Sequence, residues 1–205
     1  MSKIVNDLIR QGYLKTDKII EAFSKIDRIE FVPREIELQA DADVALPIGY
    51  GQTISQPLTI AFMLEILDPK EGQKILDVGS GSGWSTSLLS YIVGKNGKVI
   101  AVERIRELLE IGKRNTNKFG FVEKEIAEFY EAREKIGCPE KAPYDRIFVS
   151  ASASEVPQEL LDQLRVGGIM VIPIKNNIVF VEKRSETDFF KEEFPGFSFV
   201  PLIIN

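Results

Sequence analysis

The sequence predicts an α/β protein with a mostly parallel, doubly wound sheet, an antiparallel C-terminal edge and an N-terminal helical extension. Three observations predict it. Strand and helix patterns alternate through residues 57–175, a glycine-rich turn follows the first buried strand there, and short amphipathic helices come before it. A length of 205 residues favours one domain, 1–205. We divide it into N-terminal helices and a loop (1–56), a core (57–175) and edge strands (176–205).

The first part of the chain carries two helical patterns and then an uncharged segment. Apolar residues recur at helical spacing from Leu8 to Tyr13 and from Ile19 to Ile26, and Thr16 is a suitable N-cap for the second helix. Residues 45–57 are rich in glycine and proline and lack charge, so we expect an ordered loop.

Hydrophobic periodicity and turn residues predict the helices and strands of residues 57–175 and 176–205. The predicted helices cover 57–67, 84–93, 105–119 and 158–164, and the predicted strands cover 74–78, 98–103, 126–130, 146–150 and 169–173. Two further strands, at 178–182 and 197–200, have no helix between them and predict an antiparallel edge.

Composition excludes several classes of function. The chain has no histidine and one cysteine, which excludes Ser-His-Asp and Cys-His catalysis within the chain, His-ligated zinc and an internal disulfide; no metal site is predicted. A net charge of -5 disfavours binding to nucleic acid or an anionic membrane. Without a signal-peptide pattern or a long apolar stretch, we expect a cytoplasmic protein, and we expect a monomer.

A glycine motif, Asp77-Val78-Gly79-Ser80-Gly81-Ser82-Gly83-Trp84, stands where a predicted strand gives way to a helix. Glycines there let the backbone turn tightly and approach a ligand closely. A dinucleotide fingerprint requires glycine at position 84, and the tryptophan there disfavours a dehydrogenase. The spacing resembles the first motif of the Rossmann-like S-adenosyl-L-methionine (SAM) methyltransferases.

Glu103 supports a nucleoside ligand. It ends the next strand, where an acidic side chain can accept hydrogen bonds from both ribose hydroxyls. The alternative is that the glycines form an ordinary tight turn and that Glu103 is a solvated strand end.

Four segments carry a wider resemblance, which runs from about Leu8 to Leu202. They are residues 11–18 with 27–28 and 31–33, residues 46–57, the glycine motif, and residues 142–173, with 199–202 closing the match. Together they resemble the protein-L-isoaspartate (D-aspartate) O-methyltransferase family. The loop Thr53-Ile54-Ser55-Gln56-Pro57 is its most specific part.

The resemblance implies transfer of a methyl group from SAM to L-isoaspartyl and D-aspartyl carboxylates in damaged proteins and peptides. Its product is S-adenosyl-L-homocysteine, and repair then proceeds through a succinimide. Ser55 would be the active-site serine and contact the carboxylate, and the backbone of Val200 would hold the substrate peptide. The implied cofactor-binding residues are Thr53, Ile54, Ser55, Asp77, Gly79, Ser80, Gly81, Gly83, Glu103, Arg104, Ala132 and Arg133. The alternative for Ser55 is a cap on the helix that begins at Pro57.

Three departures from the family pattern keep other functions open. Glu131-Ala132-Arg133 stands where the family has Gly-Asp-Gly, whose acidic residue contacts adenine. The family's glycine is missing from the loop after Pro173, and Asp41 replaces a frequent tyrosine. The alternatives are an aspartate O-methyltransferase dedicated to one peptide and a non-catalytic SAM-fold binding protein.

Overall fold

The structure is a computed structural model, and it describes residues 2–202. The helices are α1 (Lys3–Arg10), α2 (Asp17–Lys25), α3 (Pro57–Leu67), α4 (Trp84–Val93), α5 (Arg106–Asn117) and α6 (Gln158–Gln163). The strands are β1 (Leu46–Gly49), β2 (Gln52–Ile54), β3 (Lys74–Val78), β4 (Lys98–Glu103), β5 (Ala127–Glu131), β6 (Tyr144–Val149), β7 (Leu164–Ile174), β8 (Asn177–Lys183) and β9 (Phe189–Pro195). Short 3-10 turns cover Arg28–Phe31, Arg34–Gln39, Gly94–Asn96 and Pro139–Lys141.

Seven strands form one sheet in the order β5-β4-β3-β6-β7-β8-β9. The first five are parallel to one another, and β8 and β9 are antiparallel to their neighbours. The predicted fold class, with its antiparallel C-terminal edge, is therefore confirmed. The chain moves outward from β3 to β4 and β5 and then returns to the other side of β3 as β6, which leaves a crevice at the carboxyl ends of these strands.

The central strands of the sheet are buried on both faces, and successive residues of these strands belong to different cores. Ile75 of β3 belongs to a core with α1 to α5, while its neighbour Leu76 belongs to a second core with α6 and the segment before β6. Burial on both faces explains why β3 and β4 appear in the sequence as nearly continuous apolar runs. The division of the chain into one domain with three parts stays a prediction.

The predicted strand at 197–200 is wrong. The last strand described is β9 at Phe189–Pro195, and residues 197–200 have no regular secondary structure. Phe197 is partly buried through its aromatic ring, which stacks on Phe62 with 5.3 Å between the ring centroids. The apolar side chains in this segment therefore indicate packing against the core and not a strand of the sheet.

Two other segments also differ from expectation. Residues 45–57 contain an antiparallel hairpin, β1 with β2, where we expected a loop. Strand β7 begins at Leu164, directly after α6, so Gly167 and Gly168 lie inside the strand instead of before it. Within residues 2–202, none of the helices combines the length and the apolar character that crossing a membrane requires.

Candidate active site

A pocket opens at the carboxyl ends of β3, β4 and β6, at the point where the strand order reverses. Its floor is the turn after β3, one side is the end of β4, and the opposite side is Ser150 and Ala151 after β6. The end of the β1–β2 hairpin and residues 200–202 complete the lining. Open α/β sheets bind ligands at this place because loops on both sides of the reversal diverge and leave a crevice.

The glycine turn brings its backbone close to neighbouring elements. Gly79 and Ser80 both donate their N–H groups to the carbonyl of Val102, at 2.8 and 3.2 Å, which fastens the turn to β4. Gly83 has a φ of +91°, and a Cβ atom there would lie 2.6 Å from the carbonyl oxygen of Gly112 in α5. Glycine at position 83 therefore permits α4 to begin against α5, and Gly83 does not line the pocket.

Asp77 is fully buried and also does not line the pocket. Its Oδ2 atom accepts hydrogen bonds from the hydroxyls of Ser85 at 2.8 Å and Thr86 at 2.6 Å, both in the first turn of α4. Burial raises the pKa of Asp77 to about 6. These contacts make Asp77 a connection between β3 and the start of α4.

Glu103 lines the pocket with a carboxylate that the backbone holds in place. Its Oε2 atom accepts from the N–H of Gly81 at 2.9 Å, and its Oε1 atom accepts from the N–H groups of Arg104 at 2.8 Å and Ile105 at 2.9 Å. A carboxylate offers about four lone-pair positions, so it can still accept a hydrogen bond from a ligand. Glu103 is thus a fixed acceptor at the end of β4.

Three buried polar atoms of the pocket have no hydrogen-bond partner among residues 2–202. They are the hydroxyls of Ser80 and Ser150 and the indole Nε1 of Trp84. More than nine in ten buried polar groups in folded proteins are paired, so three orphans around one pocket indicate a polar ligand. Ser150 was missed as a site residue, although its place at the carboxyl end of a predicted parallel strand was a usable signal.

Ser55 follows β2 and lines the same pocket. Helix α3 is capped by another residue, Asp43. Its Oδ1 atom accepts from the backbone N–H of Leu58 at 2.9 Å, and its Oδ2 atom accepts from the side-chain amide of Gln56 at 3.1 Å. No partner for the Ser55 hydroxyl exists in the part of the chain that the structure describes. The hydroxyl is therefore available to a ligand, and the capping alternative is wrong.

The opposite rim comes from the C-terminal segment. The carbonyl of Val200 accepts from the N–H of Ser152 at 2.8 Å, and the N–H of Leu202 donates to the carbonyl of Ser152 at 2.7 Å. This short parallel bridge holds residues 200–202 over the end of β6. It brings Val200 to the pocket that also contains Ser55.

Ala132 and Arg133 line the pocket beyond β5. Ala132 donates its N–H to the carbonyl of Glu103 at 2.8 Å and so extends the ladder between β4 and β5. The Arg133 side chain is largely exposed, and its Nη1 atom lies 3.5 Å from Oε1 of Glu140. Glu134, which no sequence motif indicated, lines the same side.

Of the sequence-predicted site residues, only Asp77 and Gly83 lie outside the pocket lining. Those that line it are Thr53, Ile54, Ser55, Gly79, Ser80, Gly81, Glu103, Arg104, Ala132, Arg133 and Val200. The arrangement offers a fixed carboxylate, unpaired hydroxyls and a backbone that a ligand can approach closely. These groups can bind and orient two reactants side by side.

Comparison with known proteins gives one family. A family model for protein-L-isoaspartate(D-aspartate) O-methyltransferase matches residues 1–205. A protein-L-isoaspartate O-methyltransferase of Methanopyrus kandleri is 40% identical over 98% of this chain and 90% of its own, and one of Staphylothermus marinus is 41% identical over 98% and 92%.

The solved structures agree. A Plasmodium falciparum structure described as a protein-L-isoaspartate O-methyltransferase in complex with S-adenosyl-L-homocysteine superimposes with a TM-score of 0.87 at 27% identity. That match covers 98% of this chain and 97% of the other. The chain belongs to the protein-L-isoaspartate(D-aspartate) O-methyltransferase family.

Proposed function

We propose that the chain transfers the methyl group of SAM to the carboxylate of L-isoaspartyl and D-aspartyl residues in damaged proteins and peptides. The observation that carries the proposal is one pocket with two binding regions. Glu103 is fixed at the end of β4, and the unpaired Ser55 hydroxyl lies at the end of the hairpin. A sequence relative and a structural relative that each match 98% of this chain are named protein-L-isoaspartate O-methyltransferases.

The residues of the pocket fit SAM. Glu103 would accept hydrogen bonds from the ribose hydroxyls, and Gly79 to Gly81 would let the backbone approach the cofactor. The orphaned hydroxyls of Ser80 and Ser150 supply donors or acceptors that a polar ligand would satisfy. The other contacts that we propose come from Thr53, Ile54, Arg104, Ala132 and Arg133. When bound, SAM supplies an electrophilic methyl group, and S-adenosyl-L-homocysteine is the product.

The acceptor needs positioning more than it needs a base. An isoaspartyl carboxylate is ionised at neutral pH, since its ordinary pKa is near 4. It therefore attacks the methyl carbon without losing a proton, which agrees with the absence of histidine. The Ser55 hydroxyl donates to one carboxylate oxygen and turns the other toward the methyl group, while the backbone at Val200 holds the peptide.

Repair takes place in steps that follow the methyl transfer. The methyl ester has a better leaving group than the free acid, so the next backbone amide nitrogen attacks its carbonyl carbon and methanol leaves. The resulting succinimide opens by hydrolysis, partly to a normal aspartyl bond. Nothing in this sequence of steps requires a metal or a second cofactor.

We also propose a cytoplasmic monomer that acts on isoaspartyl-containing proteins. The unpaired Cys138 fits a reducing compartment, and the net charge of -5 offers no general attraction to nucleic acid.

Methyl transfer from labelled SAM to one peptide, made in isoaspartyl and in normal aspartyl form, tests the proposal. We expect base-labile label on the isoaspartyl form alone. Label on neither form, with SAM bound, would reject general repair and favour a dedicated peptide substrate. Absence of both label and SAM binding would favour a non-catalytic protein.

A further inference from the structure

Arg28 is a buried arginine beside the pocket that the proposed chemistry does not use. It stands in the 3-10 turn Arg28–Phe31, and only 4% of the residue is exposed. Its Nη1 atom donates to the carbonyls of Ala40 at 2.8 Å and Ala42 at 3.2 Å. Its Nη2 atom donates to the carbonyls of Val44 at 2.8 Å and Ser55 at 3.1 Å. The four terminal N–H groups of the guanidinium therefore all donate to backbone carbonyl oxygens.

These four contacts join two separate parts of the chain. Residues 40–44, which we call the 40–44 loop, have no strand or helix to satisfy their carbonyl groups. The guanidinium supplies those hydrogen bonds and links the loop to Ser55 through one planar group. Asp43, which belongs to this loop, also accepts hydrogen bonds from the side-chain amide of Gln56 and the backbone N–H of Leu58. Arg28 thus holds the backbone of Ser55 directly, and Asp43 holds the residues that follow it.

The cation also lies directly behind the pocket. Its Cζ atom is 5.4 Å from the centroid of the Trp84 ring, and Trp84 lines the pocket. Burial lowers the pKa of Arg28 to about 10, so the guanidinium is still protonated at neutral pH. A charged group packed on an aromatic face and bonded to four carbonyls has little freedom to move.

We propose that Arg28 is a positioning residue, which fixes the backbone of Ser55 and the 40–44 loop so that the serine hydroxyl meets the acceptor carboxylate. This inference rests on the proposed function. Rate depends strongly on such alignment, because a displacement of about 1 Å can cost about 100-fold. Arg28 has no contact with the cofactor region around Glu103 among the described hydrogen bonds, so its loss should affect the acceptor rather than SAM.

Arg28→Lys tests the geometry, because lysine keeps the positive charge but cannot reach four separated carbonyls from one nitrogen. Arg146→Lys is the matched control. Arg146 is buried and bonds the carbonyls of Leu67 and Asp145, but it lies at the amino end of β6, away from the pocket. Both variants should unfold at lower temperature, so the kinetics are measured well below either transition.

For Arg28→Lys we expect kcat/KM for an isoaspartyl peptide to fall about 30-fold, with the Kd for S-adenosyl-L-homocysteine within about twofold of the wild type. We also expect faster amide hydrogen exchange at residues 40–44 and 55–58, where Arg28 and Asp43 hold the backbone. Arg146→Lys should change neither kcat/KM nor exchange in these segments.

An Arg28→Lys variant with the kinetics of Arg146→Lys would overturn the inference. If the wild type itself does not methylate the isoaspartyl peptide, the proposed function fails, and the exchange data decide on Arg28 alone. Unchanged exchange at residues 40–44 and 55–58 would then overturn the inference, and faster exchange confined to them would support it.

Discussion

The carboxylate of Glu103 accepts a hydrogen bond from the backbone N–H of Gly81 at 2.9 Å, across the ends of two neighbouring strands. The contact joins the acidic residue that ends β4 to the glycine turn after β3. One side chain thereby fixes the turn and presents its remaining lone pair to the pocket. The acid and the glycines of the motif consequently act as one unit.

Glu103→Gln should weaken binding of S-adenosyl-L-homocysteine by ten- to 100-fold. The glutamine amide replaces one acceptor oxygen by a donor, so at least one of three backbone N–H groups loses its partner, at a cost of about 1–3 kcal/mol. Titration calorimetry measures the change. Glu107→Gln, on the exposed side of the first turn of α5, serves as control and should bind normally. Equal Kd values for the two variants would contradict the assigned role.

Gly83→Ala should lower the free energy of unfolding by about 3 kcal/mol or more. The added Cβ would meet the Gly112 carbonyl at 2.6 Å and the Thr116 hydroxyl at 2.7 Å, in addition to the strain of a positive φ. Gly72→Ala has the strain alone, since nothing lies within 4 Å of its Cβ, and should cost about 1 kcal/mol. Urea unfolding compares them, and similar losses would show that the contact between α4 and α5 is not tight.

The stability of Asp77→Asn relative to the wild type should rise with pH. Burial raises the pKa of Asp77 from 3.8 to about 6, so the folded state holds this proton more tightly than the unfolded state does. The stabilising contribution is fully present below about pH 4 and is lost as the pH rises through about 6, by up to about 3 kcal/mol. Asparagine does not titrate. Urea unfolding from pH 4 to 7 measures the difference, and a constant difference would refute the burial effect.

Where one physical cause dominated, the sequence predicted the structure closely. Strand β3 and helix α4 have the predicted bounds, because double-sided burial and the glycine turn both mark them. The β1–β2 hairpin was missed because Tyr50 and Gly51 both adopt positive φ, and tyrosine is an unusual residue for that turn. Strand β9 was missed because it is a largely exposed edge strand with no apolar alternation.

The site was predicted where motifs were local and was missed where it depends on tertiary contacts. Glu103 was predicted from its place as the last residue of a strand. The role of Asp43 as the cap of α3 was not, since it comes fifteen residues before the N–H that it accepts from. The four contacts of Arg28 likewise join residues that the sequence separates by up to 27 positions.

Ser55→Ala, assayed for methyl transfer and for cofactor binding in parallel, tests the central claim most directly. The hydroxyl lines the pocket and has no other partner in residues 2–202. We predict that kcat/KM for an isoaspartyl peptide falls about 100-fold while the Kd for S-adenosyl-L-homocysteine changes less than about threefold. Ser24→Ala, whose hydroxyl bonds the Ile20 carbonyl in α2, should leave both unchanged. Wild-type transfer by Ser55→Ala would contradict the claim that this hydroxyl orients the acceptor.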